Sequence, residues 1–115
     1  MDQGCAFCRI AARELPAELL HVSDRIVAFR DADPKAPTHV LIIPREHVVS
    51  LSDIGDRHAG MLVELMTVAR HLARAEGIDK SGWRLVTNSG PDAGQSVFHL
   101  HFHLLGGRPM SWPPG

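Results

Sequence analysis

His99, His101 and His103 alternate with Leu100 and Phe102 in the stretch SVFHLHFHLL, close to the end of a 115-residue chain. Side chains on a β-strand point alternately to opposite faces, so this spacing predicts three imidazoles on one face and Leu100, Phe102 and Leu104 on the other. Successive histidines would stand about 6.5–7 Å apart along the strand. Imidazole titrates near neutrality, so such a row can bind a metal, hold an anion or attack an electrophile. The stretch NSGPDAGQS precedes it. Gly90 and Gly94 permit turns that aim successive N–H groups at one point, an anion-binding nest. Ser96 adds a hydroxyl and Asn88 an amide. Cys5 and Cys8 form a CxxC, the chain's whole cysteine content. In a reducing compartment that spacing favours a metal or redox role over a structural disulfide.

Those groups need elements to hold them. Helical spacing runs through FCRIAAREL until Pro16, and ELLHVSDRIVAFRD reads as a hairpin turning at Ser23 and Asp24. Residues 33–37, DPKAP, form a loop, and THVLIIP is a strand closed by Pro44. From Ser52 to Glu76 the period is helical. Met61, Leu65, Val68 and Leu72 make an apolar stripe opposite Glu64, Thr67, His71 and Arg74. Ser52 or Asp53 can cap its start and Gly77 its end. WRLVTN is a strand, SGPDAGQ a loop and VFHLHFHLL the last strand. One long helix among strands, with no repeated βα unit, predicts an α+β fold with a mostly antiparallel sheet.

Composition narrows the function. Net charge is −1 and no dense Lys/Arg run occurs, which argues against a non-specific grip on nucleic acid. No apolar run approaches a membrane span, and MDQGCAFC lacks the features of a secretion signal. The expectation is a cytoplasmic protein. A mononuclear metallohydrolase usually adds a carboxylate, yet nothing acidic follows His103. A phosphate-binding site fits the glycine loop and histidines better.

HLHFHLL has the His-φ-His-φ-His-φ-φ form of the histidine-triad (HIT) nucleotide-binding family. GQSVFHLHFHLLGGRPMSWPPG resembles the C-terminus of its Hint branch, and CAFCRI, FRDADPKAPTHVLIIPREH and the long helix are similar to that branch in order. The resemblance covers nearly the whole chain. It implies one HIT domain over residues 1–115, with a five-stranded sheet, one short and one long helix, and a homodimer whose sheets join into ten strands. The long helix would help to form the dimer interface.

The resemblance further implies hydrolysis of purine nucleoside 5′-phosphoramidates, typically adenosine 5′-monophosphoramidates, to a nucleoside monophosphate such as AMP or GMP and an amine. His101 would be the nucleophile, forming a nucleotidyl-histidine intermediate without a metal cofactor. His103, Ser96 and loop N–H groups would hold the phosphate oxygens, with His99 and His39 completing the histidine set. Asp31, beside Ala32, matches the ribose-binding position, and Asn88, Gly94, Gln95 and Ser96 match the phosphate-side positions. Relatives bind a structural zinc through residues matching Cys5, Cys8, His47 and His99; with zinc bound, His99 would orient the site without touching phosphate. Trp112, in the tail, would reach the partner's site. Ser111 stands where some relatives carry histidine, and Phe102 is bulkier than the usual aliphatic residue. His21, His58 and His71 are left to structure or surface.

Overall fold

The computed structural model describes residues 4–115. Residues 1–3, part of the expected domain and of the N-terminal stretch read for a leader, lie outside them. Helix α1 (Ala6–Ala11) is followed by strands β1 (Leu19–Val22), β2 (Ile26–Arg30) and β3 (Thr38–Pro44). Helix α2 (Ala59–Ala75), strand β4 (Trp83–Val86) and strand β5 (Phe102–Gly106) complete the order. The sheet is five-stranded in the order β1-β2-β3-β5-β4, and every neighbouring pair is antiparallel. The expected α+β architecture, with one short and one long helix, is therefore present.

Strand β3 is buried along its whole length because both sheet faces are covered. Val40 and Ile42 point with Leu100, Phe102 and Leu104 into a core closed by Leu65, Val68 and Leu72 of α2. Leu41 and Ile43 point the other way, against Phe7, Cys8 and Ala11 of α1. The stripe read from the helical period is thus the protomer's own core. On its other side α2 exposes Val63 and Met66.

Four boundaries differ from the sequence reading. Helix α1 stops before Leu15 and is not ended by Pro16: Arg13 turns left-handed at φ 60°, with Arg13 N–H donating to the Ile10 carbonyl and Glu14 N–H to that of Arg9. Helix α2 starts at Ala59, after two 3-10 turns, Leu51–Asp53 and Asp56–His58. Ser50, rather than Ser52 or Asp53, caps the first turn by accepting from Ser52 N–H. The far end of α2 is as expected: Gly77 is left-handed, and Ile78 N–H reaches back to the Ala73 carbonyl at 3.0 Å.

The third difference matters most. Strand β5 begins at Phe102, so only His103 of the three histidines lies in it. Its ladder with β3 ends at Ile42 and Phe102. Two residues further along β3 stands Pro44, which has no N–H to donate. Residues 97–99 bend instead, and Leu100 N–H donates to the Val48 carbonyl at 2.6 Å. On the other flank, the Thr87 hydroxyl donates to the His101 carbonyl at 2.8 Å. WRLVTN accordingly stops being strand after Val86, and Thr87 becomes a bracket for the histidine segment.

Candidate functional site

The bend separates the three histidines into two environments. His99 is fully buried behind the segment, while the rings of His101 and His103 lie side by side with centroids 5.1 Å apart. The expected single row of three on one face is therefore corrected. Phe7 stands edge-on to both His99 and His101, with centroids 6.1 and 5.1 Å away.

Hydrogen-bond partners assign the ring protons, because a carbonyl can only accept and a backbone N–H can only donate. His101 Nδ1 lies 2.7 Å from the His99 carbonyl, so Nδ1 carries the proton and Nε2 of the neutral ring holds the lone pair. Lys35 N–H donates to His39 Nδ1 at 3.0 Å, which puts the His39 proton on Nε2. His39 Nε2 then donates to His103 Nδ1 at 2.9 Å, leaving His103 a protonated Nε2. Neighbouring rings thus differ: His101 offers an acceptor or nucleophile at Nε2, and His103 offers a donor.

Asp31 joins this chain. Its Oδ2 lies 3.4 Å from His39 Nε2, and its Oδ1 accepts from Asp33 N–H at 2.8 Å. Burial pushes His103 down to about 4, helped by His101 and His39 and opposed by Asp31. Burial likewise lowers His39, against the pull of Asp31. An unfolded histidine titrates near pH 6.5. Between about pH 6.5 and 4 the unfolded chain therefore binds more protons than the folded one, and stability is lost as pH falls through that window. The melting temperature should drop on this acid side, and less steeply in His103→Asn than in the parent. Equal slopes for the two proteins would contradict a half-buried, neutral His103.

The second cluster lies behind His99. His99 Nε2 donates to the Pro44 carbonyl at 2.8 Å, so its Nδ1 lone pair faces Cys5 Sγ at 3.3 Å and Cys8 Sγ at 3.4 Å. His47 Nδ1 is 3.3 Å from Cys8 Sγ. All four ligand atoms fall within 4.8 Å of one another. Tetrahedral zinc with bonds of roughly 2.0–2.3 Å needs ligand atoms about 3.3–3.8 Å apart. Two thiolates and two imidazoles, one with its tautomer already set by a carbonyl, fit that ion. Asp31, His39 and His103 also converge. There, Lys35 N–H keeps the His39 proton on the very nitrogen that would have to ligate, so this group works as a hydrogen-bonded chain.

The glycine loop is shaped differently from the expected nest. Gly90 and Gly94 do adopt positive φ. Gly90 N–H, however, donates to Gln95 Oε1, Gly94 N–H to the Pro91 carbonyl, and Gln95 N–H to the Gly90 carbonyl. Gln95 is buried and its amide also donates to the Val49 and Val97 carbonyls. Gly94 and Gln95 therefore build the loop with groups expected to face an anion. Ser96 stands exposed at its end, with Asn88 partly buried at its start.

A cavity of about 530 Å³ opens beside Asp31 and Ala32. Phe7, Ile10, Phe29, Leu41 and Val97 make its apolar lining, and Glu18 and Arg30 are polar lining residues. Sequence reasoning did not find it. Its apolar residues come from α1, β2, β3 and the loop, and each of these reads locally as ordinary core. Trp112 is 81% exposed, and its tail is held beside β4 by Arg84 Nη2 donating to the Ser111 carbonyl at 3.1 Å. His71 is exposed on α2; His21 and His58 lie apart from the histidine cluster, the latter with Nδ1 accepting from Gly55 N–H. No helix among the described residues is long and apolar enough to cross a membrane.

Known proteins resemble this one along nearly its full length. The HIT domain family matches residues 12–110. The purine nucleoside phosphoramidase of Escherichia coli strain K12 is 42% identical over 110 residues, covering 96% of this chain and 92% of that protein. The 14 kDa zinc-binding protein of Zea mays is 43% identical over 116 residues, covering 99% and 90%. The crystal structure of a HIT family hydrolase from Legionella pneumophila superposes with a TM-score of 0.95 at 48% identity, over 96% of this chain and 99% of that one. The family match and these whole-length likenesses leave one assignment: the chain belongs to the histidine-triad (HIT) family, on its Hint-like side.

Proposed function

We propose that the protein, as a single HIT domain, hydrolyses purine nucleoside 5′-phosphoramidates through a nucleotide bound covalently to His101. The observation that carries this reading is the His101 tautomer: Nδ1 is held by the His99 carbonyl at 2.7 Å, so the Nε2 lone pair is the reactive one. Its ring neighbour His103 is kept in the opposite tautomer by His39. The 42% identity to an enzyme named purine nucleoside phosphoramidase supports the same activity.

In this reading the purine enters the apolar cavity and Asp31, beside Ala32, accepts from the ribose hydroxyls. His103 Nε2–H, Ser96 and Asn88 hold the non-bridging oxygens as negative charge shifts onto them. Gly94 and Gln95 fix the loop that carries Ser96. His101 Nε2 attacks the α-phosphorus, the P–N bond to the amine breaks, and the departing nitrogen takes a proton through Ser96 or a neighbouring histidine. Water then displaces the imidazole and releases the nucleoside monophosphate. Cys5, Cys8, His47 and His99 would hold zinc, and a closed four-ligand zinc supplies structural cross-linking with no open position for a reactive water. The chain's own contribution there is to anchor α1 and the carbonyl that orients His101.

The test is incubation with phosphoramidates of adenosine and guanosine, and with dinucleoside polyphosphates, all with chelator present. Release of AMP or GMP from the phosphoramidates is expected. A strict requirement for added metal, or cleavage of the polyphosphates alone, would overturn the assignment.

The reading includes a homodimer joined edge to edge into a ten-stranded sheet. Strand β4 is an edge strand, and the exposed Trp112 lies on the tail tethered beside it, where a second copy would receive it. The mass in solution at micromolar concentration should be that of two chains. Deleting residues 111–115 should change the preference among leaving amines while the fold persists. An active monomer, or unchanged kinetics across several amines, would contradict this part.

A further inference from the structure

The cavity that the proposed function gives to the purine has a polar edge, and its chemistry discriminates between bases. Arg30 Nε donates to Glu18 Oε2 at 2.9 Å, and Arg30 N–H donates to the Glu18 carbonyl at 3.1 Å. The rest of the guanidinium is committed elsewhere: Nη1 and Nη2 grip Glu76 at 2.7 and 3.0 Å, and Glu76 is steadied by Thr38. Arg30 is therefore a clamp that fixes the Glu18 carboxylate at the rim. Among the described residues no donor reaches Glu18 Oε1. The two carboxylates that line the cavity, Glu18 and Asp31, outnumber its single guanidinium.

A rim of this kind accepts hydrogen bonds. Guanine turns two adjacent donors outward, N1–H and the N2 amine, which match the two oxygens of a carboxylate. Hypoxanthine keeps N1–H and lacks the amine. Adenine offers one N6 amine beside an N1 lone pair, and that lone pair is repelled by a carboxylate. With the sugar at Asp31 and the ring faces against apolar side chains, the outward edge of the base is what Glu18 and Arg30 meet.

We infer that Glu18, held by Arg30, is a specificity-determining residue that makes this site favour guanine over adenine nucleotides. The inference rests on the proposed placement of the purine in the cavity. A charged hydrogen bond is worth more than a neutral one. Glu18 is 66% exposed, so water weakens the gain, and the expected preference is only about five- to tenfold.

The experiment is calorimetric titration of the full-length protein with GMP, IMP and AMP, repeated for Glu18→Gln, Glu18→Ala and Phe29→Ala. The expected order of affinity is GMP, then IMP, then AMP. Glu18→Ala should bring the GMP-to-AMP ratio within twofold by weakening GMP most, and Glu18→Gln should reduce it. Phe29→Ala should weaken all three nucleotides together. Equal GMP and AMP affinity in the parent, or a ratio unchanged in both Glu18 variants, would overturn the inference while leaving the base cavity intact. Failure of all three nucleotides to bind the folded protein, or indifference of all three to Phe29→Ala, would remove the cavity reading and this inference with it.

Discussion

Replacing His101 with Ala is expected to lower turnover of an adenosine phosphoramidate by roughly three to five orders of magnitude while AMP still binds. The size follows from what is removed. His101 supplies the only lone pair in the histidine cluster that is both aimed by a fixed tautomer and unclaimed by the chain leading back to Lys35. Without it the remaining donors can hold a phosphate but have nothing to attack it with. His103→Ala should cost less, roughly a hundredfold, because it removes one oxygen-holding donor and keeps the nucleophile. The two variants should also differ in kind. His101→Ala leaves the His39–His103 hydrogen bond in place, whereas His103→Ala leaves His39 Nε2–H only the longer contact to Asp31. Turnover by His101→Ala within tenfold of the parent would contradict this assignment.

Metal removal is expected to have the largest effect on stability. Zinc at a thousandfold its dissociation constant adds about 4 kcal/mol to a folded state that alone binds it. For a chain of this length that is a fall of about 15 °C in melting temperature on stripping the metal. The reason for folded-state preference is the sequence distance between ligands: Cys5 caps α1 and Cys8 lies in its first turn, His47 follows β3, and His99 precedes β5. Purified without chelator, the protein should carry about one zinc per chain. Cys8→Ser should lower both the zinc content and the melting temperature, and the parent treated with chelator should match it. Because a closed four-ligand zinc takes no part in the chemistry, the stripped protein should still turn substrate over at temperatures where it remains folded. Absence of zinc together with an unchanged melting temperature in Cys8→Ser would contradict the site.

The sequence made some of this legible and hid the rest, for physical reasons. The period of 3.6 exposed the α2 stripe, because Met61, Leu65, Val68 and Leu72 all face one sheet. The Gly77 terminus was equally readable, since a left-handed residue after a helix favours glycine. The start of the last strand was not readable from HLHFHLL. What ends that ladder is Pro44 on the neighbouring strand, more than fifty residues earlier. A motif's own alternation therefore overstated its regularity, and three imidazoles expected on one face divide between two clusters. The loop misled in a similar way. Gly90 and Gly94 have the positive φ that suits a nest, yet their N–H groups close the loop on Gln95 and Pro91. The cavity beside Asp31 left no trace in any single segment, because Phe7, Phe29, Leu41 and Val97 meet only after α1, β2, β3 and the loop have packed.

The central claim is a covalent bond between His101 and a nucleotide. It is tested most directly by acid-free rapid quenching during turnover of an adenosine phosphoramidate, with chelator present throughout, followed by intact mass and peptide mapping. The account predicts a species heavier than the protein by one adenylyl group, attached at His101, that forms and decays at rates compatible with turnover and is absent from His101→Ala. Full turnover with no adenylylated protein at any time point, or the adduct on another residue, would contradict it.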